Sequence, residues 1–258
     1  MVHGFYNLTS GMLTEKRSLD VISSNMSNVV TKGFKADRLV SATFQEELVS
    51  RTGNMDKKNT QPIGDSTMAR IPRETITDFS QGSFRETQGK LDFALEGDGF
   101  FRVRTAQGAE HYTRNGSFNI DDGGYLCTQQ GERVMGKKGG PIRAINPHNP
   151  REMNGDILQV DRAGGIYTMD GDYIDTFDVV TFADKGQLVK QNGFFTGGGQ
   201  PIPAEANVYQ GVLEESNVEP VKEMVAMMES QRHLQSASQI LKIYDQLMGK
   251  ATNDLGRI

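Results

Sequence analysis

Residues 216–251 read SNVEPVKEMVAMMESQRHLQSASQILKIYDQLMGKA. Met227, Leu234, Leu241 and Met248 recur once per heptad, and Ala237, Tyr244 and Ala251 complete the repeat. The spacing predicts a long helix with a continuous apolar seam. Ser216 and Glu219 are spaced as a capping box, and Pro220 stands where a first-turn N–H would be unbonded anyway. A further row, Met224, Met228, Ile240, Ile243 and Leu247, widens the apolar face beyond what one partner helix covers, so this helix is expected to have several neighbours.

The opposite end of the chain carries a matching pattern. Phe5, Leu8, Met12, Leu19, Ile22, Met26 and Val29 alternate steps of three and four, with only Glu15 out of pattern. This second seam should stop near SNMSNVVTKGFK (24–35), where Asn25 and Asn28 are poor helix formers and Gly33 supplies a left-handed turn before Phe34. Residues 1–40 carry five basic and three acidic side chains, and 209–258 carry five basic and seven acidic ones. The two ends are therefore complementary in charge, which steers pairing more than it stabilises it.

Glycine and proline separate these ends from the middle. Of the 29 glycines, 23 fall between residues 41 and 208, and seven of the eight prolines lie from Pro62 to Pro203. In LDFALEGDGFFRVRTAQG (91–108), Phe101 and Val103 alternate with Arg102 and Arg104, as in a strand with one wet face. Asn115-Gly116 is a hairpin signal, after which Phe118 and Ile120 should share a face. A second β stretch runs from Ile157 to Phe195, and Gly197 to Gly199 with Pro201 and Pro203 reads as a hinge toward the last helix. Residues 45–80 are polar and read as an extended arm or long loop, with Ile71, Ile76 and Phe79 as spaced apolar anchors. The expected fold is α+β and mainly β. Its divisions are an N-terminal helix (1–40), an extended arm (41–80), an antiparallel β domain (81–208) and a C-terminal helix (209–258), with the two helices paired as a coiled coil.

Few chemical functions fit. The single cysteine, Cys127, closes no internal bridge and sits in an apolar strand pattern as a buried, inert thiol. His3, His111, His148 and His233 have no structural-zinc spacing. A net charge of −5 argues against a nucleic-acid partner. The longest apolar run is five residues, Met224 to Met228, too short to span a bilayer, and MVHGFYNLTSGML lacks the features of a cleavable secretory signal. Gly97-Asp98-Gly99 lacks the third glycine of a phosphate loop and reads as a β-turn. Asp170, Asp172 and Asp175 lack the glycine and bidentate glutamate of a calcium loop and read as a hairpin turn. No nucleophile motif or zinc-protease motif occurs. The sequence thus predicts no catalytic residue, cofactor, metal or small-molecule substrate.

Four blocks carry a resemblance. SGML followed by LDVISSNMSNVVTKGFKADR (19–38), QGSFRETQGKLDFALEGDGFFRV (81–103), YTRNGSFNIDDGGYLCTQQGERVMG (112–136) and QGVLEESNVEPVKEMVAMMESQR (210–232) resemble the bacterial flagellar basal-body rod family, in that family's order and over more than a third of the chain. QRHLQSAS (231–238) is more polar than the family's usual pattern. The resemblance implies an axial structural protein, either the distal rod protein or a closely related proximal subunit. It further implies that paired terminal helices form an inner coiled-coil layer and that copies assemble helically into a hollow shaft with other rod and hook subunits. Delivery would be through the flagellar type III export apparatus. The assembly interface would then comprise Leu8, Met12, Leu19, Ile22, Met26, Val29, Met227, Leu234, Leu241, Tyr244 and Met248. The competing class is a secreted β-domain binding module on a closed trimeric helical stalk.

Overall fold

A computed structural model describes residues 2–51, 61–144, 158–168 and 171–255. The chain forms two units. One contains residues 1–27, 37–77 and 219–258, and the other contains 28–36 and 78–218.

The first unit holds two helices, α1 (Val2–Ser27) and α2 (Pro220–Leu255), and two strands, β1 (Asp37–Arg51) and β2 (Gln61–Thr77). α2 begins at Pro220, the residue whose missing N–H marks a first turn. Ser216 does not cap it, because its hydroxyl accepts the Val218 N–H at 3.3 Å, four residues short of the helix. α1 ends at Ser27, and Gly33 turns with φ of 65°.

β1 and β2 form a long antiparallel ribbon, from Asp37 opposite Thr77 to Arg51 opposite Gln61. The polar stretch read as an arm or loop is thus a bulged ladder over its described residues up to Thr77, residues 78–80 follow without strand structure, and residues 52–60 lie outside the described set. The register shifts fall beside Ser41, which faces Pro72, and Ser50, which faces Pro62. Each proline lacks a donor, and a bulge lets the ladder continue past it. A two-stranded ribbon is marginal alone, and this one lies against α1. Of the anchors, Ile76 is about half exposed and the side chain of Ile71 is outside the described set. Phe79 belongs to the second unit, where it packs on Phe100 and Phe195 at ring distances of 5.7 and 5.4 Å.

The second unit is antiparallel β throughout its described strand pairs. Its main sheet runs in the order 188–191, 194–197, 110–113, 100–104, 133–134, 126–127 and 119–120. Phe101 and Val103 are fully buried while Arg102 and Arg104 stay half-exposed, as the alternation requires. Phe101 sits in a ring cluster with Phe118 and Phe177, at 5.2 and 5.4 Å, and Phe177 lies 5.1 Å from Phe93. Phe100 points the other way, into a smaller core with Tyr112, Phe182 and Phe195.

Asn115-Gly116 joins no hairpin. The strand before it, Glu110–Thr113, pairs with 100–104 and 194–197, while the strand after it, Asn119–Ile120, pairs with 126–127. Gly116 instead accepts the Phe93 N–H at 3.0 Å, and a Cβ there would lie 1.8 Å from the Phe93 carbonyl oxygen. The glycine serves close approach of two backbones rather than a left-handed turn. Phe118 and Ile120 do share the core face.

Gly116→Ala is therefore expected to destabilise the β unit by about 3 kcal/mol or more, because backbone must move to admit the methyl group. Gly140→Ala, with open space at its Cβ, should cost under about 1 kcal/mol in the same chemical-denaturation experiment.

Candidate assembly surface

Residues 28–36 and 209–218, grouped with the helices in the sequence division, pack within the β unit. A buried charge cluster holds them there. Lys35 Nζ donates to Glu214 Oε1 at 2.6 Å, and Arg114 Nε donates to Glu214 Oε2 at 2.6 Å. All three side chains are at most 5% exposed. Two cations against one anion leave an excess positive charge, which backbone carbonyls solvate. Arg114 donates to the carbonyls of Leu95 (2.9 Å), Gly97 (2.6 Å) and Gly99, and Lys35 donates to Ser80 O at 2.7 Å. Burial pulls the Lys35 ammonium below its ordinary range, against the opposing pull of Glu214.

The backbone completes the clasp. Gly33 N donates to Glu214 O at 2.8 Å, and a Cβ on Gly33 would meet the Arg114 carbonyl carbon at 2.6 Å. Gly82 N donates to Glu214 Oε1 at 3.0 Å. Asn217 adds a second tie, its Oδ1 accepting Ala36 N at 2.7 Å and its Nδ2 donating to Asp78 O at 2.9 Å. The segments that lead to α1, to the ribbon and to α2 are thus fastened to one another in the β unit.

In the helical unit, α1 and α2 run antiparallel. Asn25 Nδ2 donates to Glu223 Oε1 at 3.1 Å, and Glu15 Oε1 lies 3.5 Å from His233 Nδ1, ten residues away along each helix in opposite directions. Ile22 is buried, and Leu8, Met12, Leu19, Met26, Met227, Leu234, Leu241 and Tyr244 are half-buried. Met248 is about half exposed. Val29 is not on the helix, because α1 has ended and a turn closes with Thr31 N donating to Asn28 O at 3.1 Å. The second row of α2 is open. Met224, Met228, Ile240, Ile243 and Leu247 each leave roughly half of their surface exposed, and Leu13 and Phe5 of α1 do the same.

Three family descriptions match parts of this chain. Residues 5–35 match "Flagella basal body rod protein", 94–166 match "Flagellar hook protein FlgE/F/G D1 domain", and 209–255 match "Flagellar basal body rod FlgEFG protein C-terminal". The flagellar basal-body rod protein FlgF of Caulobacter vibrioides is 32% identical over the whole of both chains. FlgG of Bacillus subtilis is 32% identical over 98% of this chain and 99% of its own, and FlgG of Borreliella burgdorferi is 30% identical over 98% of each. The chain belongs to the flagellar basal-body rod protein family. It is a structural subunit of the basal-body rod, in a family of structural proteins rather than enzymes. The stalk-borne binding module is not favoured.

The remaining sequence motifs of the rod subunit have local duties. Gly97-Asp98-Gly99 is the turn whose carbonyls Arg114 holds, and Asp98 pairs with Lys185 at 2.8 Å. Asp175 Oδ1 accepts the Thr176 N–H at 2.7 Å, while Asp170 lies outside the described residues. Cys127 is buried, and burial pushes its thiol pKa up. Sequence reasoning missed the Lys35, Arg114 and Glu214 cluster and the role of Asn25. The available signal was a charged residue directly beside an apolar one at Phe34-Lys35 and Leu213-Glu214, while Arg114, between Thr113 and Asn115, carried none.

Glu214→Gln should cost the β unit about 3–5 kcal/mol, because it leaves two buried cations without a counter-charge. Glu215→Gln, whose ion pair with Arg85 is exposed, should change stability by about 0.5 kcal/mol or less. Urea unfolding followed by far-ultraviolet circular dichroism checks both.

Proposed function

We propose that the rod subunit self-assembles helically into a hollow drive shaft that carries torque from motor to hook, with neighbouring subunits covering the second apolar row of α2. In this reading the α1 and α2 pairs of successive subunits form a coiled-coil layer. Its contacts come from Leu8, Met12, Leu19, Ile22 and Met26 on one helix and Met227, Leu234, Leu241, Tyr244 and Met248 on the other. The β1–β2 ribbon braces adjacent subunits. The chain reaches the cell envelope through the flagellar type III export apparatus and meets other rod and hook subunits there.

The observation that carries the reading is the surplus of apolar surface on α2. One stripe of the helix is half-buried against its own unit, and the flanking row, Met224, Met228, Ile240, Ile243 and Leu247, widens the apolar face in the open. Completing the burial of five such half-exposed side chains contributes on the order of 1 kcal/mol for each. A contact between unlike faces that does not close on itself generates a helical polymer.

Ile243→Glu is expected to leave the free subunit's helix content unchanged and its stability within about 0.5 kcal/mol, since the side chain is exposed there. The same change should abolish assembly, measured as loss of sedimentable polymer and of swimming. Leu234→Asp, at a half-buried seam position, should lower both helix stability and assembly. Normal rods from Ile243→Glu would remove the second row from the interface.

A further inference from the structure

The apolar seam of α2 leaves its own register underdetermined. Met227, Leu234, Leu241 and Met248 repeat every seven residues, as do Ala237, Tyr244 and Ala251. Sliding α2 by one heptad along α1 would therefore bring apolar side chains onto apolar side chains again. A tube built from such helices needs one register in every copy, so something other than hydrophobic pattern must select it.

Asn25, next to Met26 of the seam, is the most deeply buried polar residue among those described on the two helices. It is only 2% exposed, inside α1 and one turn past the buried Ile22. Its amide is used on both sides. Oδ1 accepts the Asp37 N–H at 2.9 Å and Nδ2 donates to the Asp37 carbonyl at 2.8 Å, fixing the start of β1 to α1. Nδ2 also donates to Glu223 Oε1 at 3.1 Å, in the first turn of α2. One side chain thus ties three elements of the helical unit.

We propose that Asn25 and Glu223 form a register lock, selecting one helix pairing among heptad slips that the apolar seam alone would tolerate. The inference rests on the reading that α1 and α2 pair through that seam. A slip of seven residues toward the C-terminus of α2 would put Ser230 where Glu223 stands. The buried amide would then lose its bond to a charged acceptor, the costliest kind of hydrogen bond to leave unmade. In the other direction the position falls on Ser216, which precedes the helix and lies in the β unit. The lock works through Glu223 rather than by adding apolar contact, as a single buried asparagine does in coiled coils of defined register.

The test uses the full chain with Cys127 left in place. Glu15→Cys is combined in turn with His233→Cys, Ile240→Cys or Ala226→Cys, and a short bismaleimide is added. Peptide mass spectrometry then identifies the linked pairs. The 15–233 link reports the observed register, and 15–240 and 15–226 report slips of one heptad. In the parent background 15–233 should dominate. Glu223→Ala, which leaves the Asn25–Asp37 bonds intact, and Asn25→Leu should each raise the ratio of slipped to native product on the order of tenfold, with helix content retained. If 15–233 dominates in the parent and stays alone in both variants, the lock is refuted. If the parent itself fails to give 15–233, the seam pairing is refuted instead.

Discussion

Helix α2 carries apolar side chains on more of its circumference than its own chain covers. The face that includes Leu234 and Leu241 is half-buried against the helical unit, while Ile243 and Leu247 leave 56% and 60% of their surface exposed. For a protein that functioned alone this would be an aggregation liability. In the proposed polymer it is the source of the driving force, because neighbouring subunits would complete its burial. Charged residues flank the row, with Lys222, Glu223 and Glu229 on either side of Met224 to Met228 and Lys242 and Asp245 beside Ile243 and Leu247.

Within the β unit, the chain segments that adjoin those helices are fastened to one another. Lys35 follows α1 by eight residues and Glu214 precedes α2 by six, and each is buried in contact with the other. A buried ion pair of this kind adds little net stability over an apolar substitute but is severe when one partner is lost. Its effect is to make the position of the two connecting segments all-or-none. Gly33, which must be glycine both for its φ of 65° and for the 2.6 Å approach to the Arg114 carbonyl carbon, enforces the same outcome sterically. Backbone shape and charge balance therefore converge on one small region, which contains parts of all four blocks that carried the family resemblance.

Local periodicity made the helices and the central strands legible. Seven-residue spacing announced α1 and α2, Pro220 marked a helix start, and the Phe101, Arg102, Val103, Arg104 alternation named the buried face. Features that depend on distant partners were not legible. The ribbon was hidden because Pro62 and Pro72 interrupt its ladder, and bulges that absorb them have no local signature. Asn115-Gly116 looked like a turn because the dipeptide gives the same signal whether glycine is needed for φ or for a backbone 1.8 Å from its missing Cβ. Lys35, Arg114 and Glu214 are separated by 79 and 100 residues, beyond any periodic pattern, and Asn25 read as a helix breaker because propensity does not register what a side chain bonds.

Methionine oxidation tests the central claim most directly. Met224 and Met228 lie on the open row of α2 and Met135 lies in the β core, 1% exposed, as an internal reference. In the free subunit, dilute peroxide should oxidise Met224 and Met228 rapidly and Met135 slowly. In purified rods, Met224 and Met228 should slow to a rate approaching that of Met135. Equal oxidation of Met224 and Met228 in free and assembled subunits would contradict the account.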